Sequence, residues 1–563
     1  MLGSLPPFLP LLIGALPVPF LKGRVRAAYT LALPALSLAN LLAIPHGNHF
    51  SVEFLDMTLT FGRVDRLSFL FGLLFHLAAF VSLLFALHVR DRVQNVAALL
   101  YAACAIGAVF AGDLFSLLMF WEGLAFTSVF LVWARREPGS FASGVRYLVP
   151  QLISGVLIMI GLALRFSAGE GIGFDRMTLD SPGTILLFIG FGVKLGFPGL
   201  HTWLTEGYPG ATATGAVFLS AFTTKVAVYA MARGFAGAEA LVWIGTVMAV
   251  FPIFYAVIEN DLRRVLAFSM INQLGFMAVG IGVGTELGIN GAVAHAFNDV
   301  FFKGLLFMSM GAVLHRTGTV NGSDLGGLVR SMPRTAALCM IGAASISAFP
   351  LFSGFVSKSM VMVAAAEEHY DLVWFLLLFA AAGVFHHAGI KIPYFAFFAH
   401  DSGRRVNEAP RHMLLAMATS AGMCVLIGCW PALLYGLLPF PVDYWPYDVF
   451  HVVTQFQLLF FSALAFTVLQ LTGLYPPELR SVNLDVDWMF RRGASIGNAA
   501  VLGPLTRMRM RWSGFVSRTV FRPILRGMRS RRSVIELGPG APLRTYVFVV
   551  MITLFGYLIV TLW

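Results

Sequence analysis

Apolar residues fill this chain in long runs, separated by short stretches rich in arginine, glycine and proline. About sixteen such runs can be marked, at roughly 6–21, 27–45, 66–88, 94–110, 112–133, 146–167, 183–204, 211–234, 240–258, 264–284, 290–313, 337–364, 371–397, 411–438, 452–473 and 545–562. Most reach about 20 residues, enough to cross a hydrocarbon core ~30 Å thick. They lack the alternating polarity of barrel strands, and backbone groups in lipid must be satisfied within the segment, so transmembrane helices are predicted throughout. The first run has no basic stretch before it and no small-residue cleavage site after it, so it reads as a retained helix and not as a signal peptide.

Composition supports this. Of 563 residues, 58% are hydrophobic and 12% charged, with a mean hydropathy of +0.80. A soluble domain needs more polar surface than that. The net charge of +11 would suggest a nucleic-acid partner, but its placement argues against one. With the N-terminus outside, fifteen basic residues fall in the short cytoplasmic loops, among them Lys22, Arg90, Arg135, Arg263, Arg316 and Arg404. Five fall in the facing loops: Arg63, Arg66, Arg165, Arg176 and Arg233. This asymmetry predicts an even number of spans and both termini outside a bacterial inner (plasma) membrane. The cysteines (Cys104, Cys339, Cys424, Cys429) sit in apolar runs without metal or disulfide spacing, which fits packing.

Lysine is distributed differently from arginine. Only six of the 39 basic residues are lysines, and Lys194, Lys225, Lys303, Lys358 and Lys391 all fall inside predicted spans. Arginine keeps its proton under nearly all conditions, whereas a buried lysine can exchange one. Five such residues cost about 15 kcal/mol at ~3 kcal/mol each on insertion scales, comparable with the stability of a whole domain. Snorkelling or structural pairing would account for one of them. Five, with acidic and histidine companions, point to proton or cation movement.

Those companions are specific. Glu122 lies mid-span in LMFWEGLAF, with Lys194 or Lys225 as candidate partners. Lys194 opens KLGFPGLHTWL, where Pro198 and its flanking glycines predict a broken helix. A second break is predicted at Pro350 in SISAFPLFSGFVSKSM, ahead of Lys358. In GAVAHAFNDVFFKGLLF, His295, Asp299 and Lys303 recur every four residues, about 6 Å apart on one helical face. The spacing suits a proton relay. Lysine is a poor metal ligand, so no metal site is expected there, and haem ligation by His386 and His387 is disfavoured. Paired breaks suggest inverted repeats. Residues 474–544 mix arginine with apolar residues, as in LDVDWMFRRGA and RMRMRWSGF, and predict an amphipathic segment on the cytoplasmic membrane surface, the other reading being a solvated basic linker.

The stretches FWEGLAF, KLGFPGLHTWL, FTTKVAVYAMAR, ENDLRRVLAFSMINQLGF, HAFNDVFFKGLLF and GFVSKS resemble the antiporter-like subunits shared by respiratory complex I, membrane-bound hydrogenases and Mrp-type cation/proton antiporters. The resemblance covers roughly residues 60–400 and is closest to the D-type subunits of Mrp antiporters. It implies an all-α polytopic membrane protein with a fourteen-helix core containing two inverted five-helix repeats. It also implies a switchable pair at Glu122 and Lys194, a following lysine at Lys225, a central face at His295 and Lys303, an ion-exit lysine at Lys358, and a thirteenth-helix lysine at Lys391. Asp299 departs from it, since many relatives have histidine there. The long ending is similar to the lateral helix of the largest complex I antiporter-like subunit.

The expected organisation is N-terminal helices (1–93), two half-channels (94–236 and 237–400), C-terminal core helices (401–473), the basic segment (474–544) and a final span (545–563). The expected function is proton translocation, with Na+/H+ exchange as its fuller form, within a multisubunit Mrp-type antiporter. The alternatives are a proton-pumping subunit of a redox-driven complex or of an energised inorganic-carbon uptake system. No G-x-x-x-x-G-K-[ST] loop is present, no cofactor is expected, and energy must come from an ion gradient or a partner subunit.

Overall fold

The computed structural model describes residues 3–54, 57–480, 483–497 and Gly503. The chain divides into two units, Met1–Asp485 and Val486–Trp563. In the second, the described element is the helix Asp487–Gly497, on which Trp488, Met489 and Phe490 are exposed. The final span predicted at 545–563, and most of the segment 474–544, lie outside the described residues.

Five prolines in the first run leave room for only a short helix α1 (Leu9–Gly14) and a 3-10 turn (Val18–Phe20). Helix α2 (Gly23–Leu42) follows, then a two-stranded antiparallel hairpin of β1 (Gly47–Phe54) and β2 (Met57–Val64). The apolar-run pattern did not predict this hairpin. Its reason is local: alternating side chains such as Leu59 and Phe61 suit a ribbon buried on one side. Next come α3 (Arg66–Phe85), α4 (Arg92–Phe110), α5 (Leu114–Trp133) and α6 (Ser140–Ser167). The first three of these are capped by Asp65, Asp91 and Asp113, whose carboxylates accept first-turn amides.

The expected span at 183–204 is two helices, α7 (Pro182–Leu195) and α8 (Thr202–Gly210). The next, at 211–234, is α9 (Gly215–Ala221) and α10 (Thr223–Gly234), meeting at Phe222. Three long helices follow, α11 (Glu239–Ile258), α12 (Leu262–Val283) and α13 (Glu286–Thr317). The run 337–364 is again two pieces, α14 (Pro333–Ile346) and α15 (Ser353–Glu367). Helix α16 (Asp371–Val384) continues into a π-helical turn, Phe385–Lys391. Helices α17 (Arg411–Cys429), α18 (Ala432–Tyr435) and α19 (Val449–Leu471) close the first unit.

Among the described residues, twelve helices are long and apolar enough to cross a membrane. The sixteen expected runs exceed this because the first is a short helix and a turn, those at 183–204 and 337–364 are broken into short halves, and the last is not described, while Gly215–Gly234, interrupted only at Phe222, still counts as one span. The class is as expected: the protein is an all-α polytopic membrane protein. Helices α12 and α13 are buried along almost their whole length, whereas α19 is mostly exposed. Small residues bring the central helices together. A Cβ on Gly275 of α12 would lie 2.4 Å from the Ala249 amide of α11, so the two backbones are in direct contact there.

Two stretches of the fold echo each other. Asp113 caps α5 and forms an isolated bridge with Gly173, just before α7. Asp261 caps α12 and forms the matching bridge with Asn321, just before α14. In both stretches, a broken helix comes next.

Candidate functional site

Each break frees backbone carbonyls that need donors. At the first, Gly196 turns into the left-handed region (φ +88), and its amide and that of Phe197 both reach the Gly192 carbonyl. Pro198 cannot continue the helix, and the Trp203 indole donates to the Val193 carbonyl at 2.8 Å. At the second, Ala348 (φ 56) and Leu351 (φ 73) adopt the left-handed region on either side of Pro350, a conformation unfavourable for any residue that carries a Cβ.

The buried lysines are the donors that answer these and related carbonyls. Lys225 reaches Ser220 O, at the end of α9, at 3.1 Å. Lys358 reaches back to Ile346 O, the last residue of α14, at 3.1 Å. Lys391 reaches Val257 O at 2.6 Å and Glu259 O at 2.7 Å, at the end of α11. Lys194 donates to the mid-helix carbonyl of Trp121 and lies 4.6 Å above that indole. Three of the four thus sit where a helix presents its negative end, which favours a cation there. An amine also donates two N–H groups, so a lysine that gives up its proton keeps these contacts.

Glu122 is half-buried on α5 and faces α6 through a gap left by a glycine: a Cβ on Gly155 would lie 1.3 Å from its Oε1. Glu122 and Lys194 are electrostatic neighbours, yet the hydrogen bond of the ammonium goes to the Trp121 backbone. The expected pair is therefore adjacent and open.

His295, Asp299 and Lys303 occupy one face of α13, and all three are fully buried. They do not form a continuous relay along that helix; each is held by a different neighbour. Asp299 forms an ion pair with Lys225 of α10, both fully buried, and its other oxygen has no partner among the described residues. Lys303 donates to Ser269 Oγ of α12 at 2.8 Å. His295 contacts Gln273 Oε1 at 2.9 Å and Ser357 Oγ at 3.0 Å. Gln273 can only accept through that oxygen, so Nε2 carries a proton, while the serine hydroxyl can donate to Nδ1 or accept from it. The site accommodates neutral and charged imidazole alike.

Beyond this row, Lys358 borders a cavity of about 270 Å3 between α15, α16 and α19, whose polar lining includes Ser359, Glu367, His451, Thr454 and Gln455. The ammonium also lies 5.0 Å above the Phe276 ring. Lys391 forms a buried ion pair with Glu478 at 2.9 Å. Sequence reasoning missed Glu478, Gly155, Gln273 and Ser357, because none belongs to an intramembrane charge motif. It also placed two arginines in loops that the structure buries. Arg263 is fully buried and donates to Ala211 O at 3.0 Å and to Pro209 O, closing the end of α8. Arg233 donates from Nη2 to both carboxylate oxygens of Asp65, at 2.7 and 2.8 Å. Of the cysteines, Cys429 is exposed and the other three are buried, as packing requires.

Residues 111–385, which include every residue of the row except Lys391, match the family described as NADH:quinone oxidoreductase/Mrp antiporter, TM. That stretch belongs to the family. It is 30% identical to hydrogenase-4 component B of Escherichia coli (strain K12) over 423 residues, 67% of this chain and 62% of that protein. It is 27% identical to the D-type subunit of the Na(+)/H(+) antiporter of Alkalihalophilus pseudofirmus over 345 residues, 57% of this chain and 69% of the relative. The chain therefore spans less than two thirds of the length of hydrogenase-4 component B. The same fold occurs in the Mrp complex from Dietzia sp. DQ12-45-1b, with TM-score 0.67, 19% identity, and coverage of 76% of this chain and 94% of that one. It also occurs in the membrane-bound sulfane sulfur reductase, an archaeal respiratory membrane complex, with TM-score 0.72, 20% identity, and coverage of 98% and 100%.

Proposed function

We propose that this chain is a proton-translocating subunit of a multisubunit cation/proton antiporter of the Mrp type, exchanging H+ for Na+, in a bacterial inner membrane with both termini outside. The observation that carries the reading is the fully buried Lys225–Asp299 pair at the centre of a row of lysines bound to helix-end carbonyls. A purely structural pair of this kind is seldom an economical way to stabilise a core. Intramembrane ionisable groups facing a bundle interior mark ion pathways.

The row runs from Glu122 and Lys194 through Lys225 and Asp299 to the α13 face, and from there to Lys358 and Lys391. When Glu122 pairs with Lys194, the ammonium is held charged. When another charge draws Glu122 away, Lys194 gives its proton toward Lys225 and Asp299, and then toward Lys303 and His295. Orphaned polar atoms along the way, on Gln151, Thr224 and Asp299, need partners that water supplies in a conducting state. The half-channels 94–236 and 237–400 are the two inverted repeats, a reading supported by the paired bridges of Asp113 and Asp261. The basic loops put the Lys391 end at the cytoplasm and the Glu367 end outside.

A redox-driven proton pump is the second reading. It is favoured by the 30% identity to hydrogenase-4 component B. Everted vesicles carrying the complete complex separate the two. Sodium-dependent collapse of a proton gradient in wild type, lost in Lys194→Ala, supports the antiporter. A gradient indifferent to sodium, in membranes that still pump protons when given a reductant, supports the redox-driven pump. Wild-type transport in Lys194→Ala would overturn both.

A further inference from the structure

The stretch following α19 carries chemistry at positions outside every apolar run. Tyr475 packs its ring on Phe466 at 5.2 Å and on His386 at 5.5 Å. Glu478 then enters the bundle and reaches Lys391, with side chains 5% and 0% exposed. Arg480 pairs with Asp324 at 2.6 Å, Asn483 donates to Glu259 at 3.1 Å, and Asp485 meets His201 beside the first helix break at 3.3 Å. The stretch thus runs from the π-helical turn of α16 past the end of α11 to the first helix break.

Resting on the function proposed above, we propose that Glu478 is a proton-carrying carboxylate at the end of the row, forming with Lys391 a second carboxylate–lysine switch. Three observations support it. First, the three N–H groups of the Lys391 ammonium match its three partners: Val257 O at 2.6 Å, Glu259 O at 2.7 Å and Glu478 Oε1 at 2.9 Å. Transfer of one proton gives a neutral amine and a neutral carboxylic acid. The amine keeps two N–H groups for the two carbonyls, and the new acid O–H donates to its lone pair. In both states every N–H group of the Lys391 nitrogen has a partner, while Glu478 Oε2 has none among the described residues.

Second, the neighbouring carboxylate is already engaged. Glu259 accepts the Asn260 and Asp261 amides at 3.0 and 3.2 Å and the Asn483 amide at 3.1 Å, and Arg264 stands 3.8 Å away. Glu478 has Lys391 alone among the described residues. Third, burial lifts the Glu478 carboxyl above the ordinary carboxylate range, with Lys391 pulling it back and Glu259 pushing it further up. That brings it nearer to a proton-exchanging lysine.

The position also completes a path. Lys358 borders the cavity that reaches Glu367, and Glu478 lies at the opposite end of the bundle, where α11 ends and α12 begins.

The test uses the full chain with its native partner subunits in everted vesicles, scoring proton flux against pH. In Glu478→Gln, flux falls at least tenfold with the complex assembled; in Glu478→Asp, flux persists with a displaced pH profile. Wild-type flux across the whole pH range in Glu478→Gln would overturn the proposal. So would recovery of flux in Lys391→Gln/Glu478→Gln, because a merely structural tie is relieved when both charges are removed. Lys194→Ala in the same membranes keeps the failures apart. If Lys194→Ala is inactive while Glu478→Gln is unimpaired, only the role of Glu478 falls. If both transport normally, the underlying function falls with it.

Discussion

Replacing Gly155 by alanine displaces one carboxylate and little else. The added Cβ would lie 1.3 Å from Glu122 Oε1 and 2.5 Å from its Cδ. Ordinary contact begins near 3.4 Å, so the carboxylate must retreat by about 2 Å. Helix α6 cannot retreat in its place: at Gly161 and Gly190 it already touches α7 so closely that a Cβ would meet backbone at 2.7 and 3.1 Å. The obstacle is the end of a flexible side chain, so the cost to folding stays within the ~1–3 kcal/mol typical of overpacking. Function suffers more. Misplacing a reacting group by ~1 Å can cost about a hundredfold, so proton flux in Gly155→Ala should fall at least tenfold, or ~1.4 kcal/mol. The assay is gradient decay in vesicles containing equal amounts of assembled complex. Glu122→Asp shortens the side chain by about one carbon–carbon bond, ~1.5 Å, so Gly155→Ala/Glu122→Asp should recover part of the flux. Wild-type flux in Gly155→Ala, or no recovery in the double variant, would refute the reasoning.

Other outcomes follow from the same geometry. Asp299→Asn leaves the Lys225 ammonium buried without its counter-charge and should lower thermal stability of the purified complex by roughly 3–5 kcal/mol, while Asp299→Asn/Lys225→Gln should recover most of that stability and remain inactive. Arg263→Met strands the Pro209 and Ala211 carbonyls at about 1–3 kcal/mol each, which a lowered unfolding temperature would register; unfolding at the wild-type temperature would argue that the α8 end is satisfied another way. The Arg480 side-chain hydrogen bond holds the Asp324 carboxyl below its ordinary range. A depressed folded-state value stabilises the protein above the unfolded value near ~3.9 and fades as pH falls through the folded one. The stability gap between wild type and Arg480→Ala should therefore be constant near neutral pH, shrink in acid, and shrink with added salt, because Arg480 is exposed.

The sequence made some of this legible. The five intramembrane lysines stand out because arginine carries the topology, and Pro198 and Pro350 announce the two breaks through proline's missing amide. The interruption at Phe222 has no such marker: neither proline nor glycine stands there, and tertiary packing sets it. The spacing of His295, Asp299 and Lys303 correctly put them on one face, but helical periodicity says nothing of what faces that helix. Asp299 belongs electrostatically to Lys225, 74 residues away in sequence. The pairing of lysines with helix-end carbonyls was hidden for a similar reason, since a carbonyl has no letter in the sequence. Gly155 looks like any other helical glycine until Glu122 is seen against it. Glu478 lay in a segment read as a basic surface element, and only the folded chain brings it to Lys391.

Direct proton flux through the assembled complex in liposomes, driven by an imposed potential, tests the central claim that the buried row is the conducting element. Lys194→Met, Lys225→Met and Lys303→Met should each assemble and each reduce flux to the protein-free background. Wild-type flux in all three would contradict the claim and leave the lysines as structural props for the helix ends they touch.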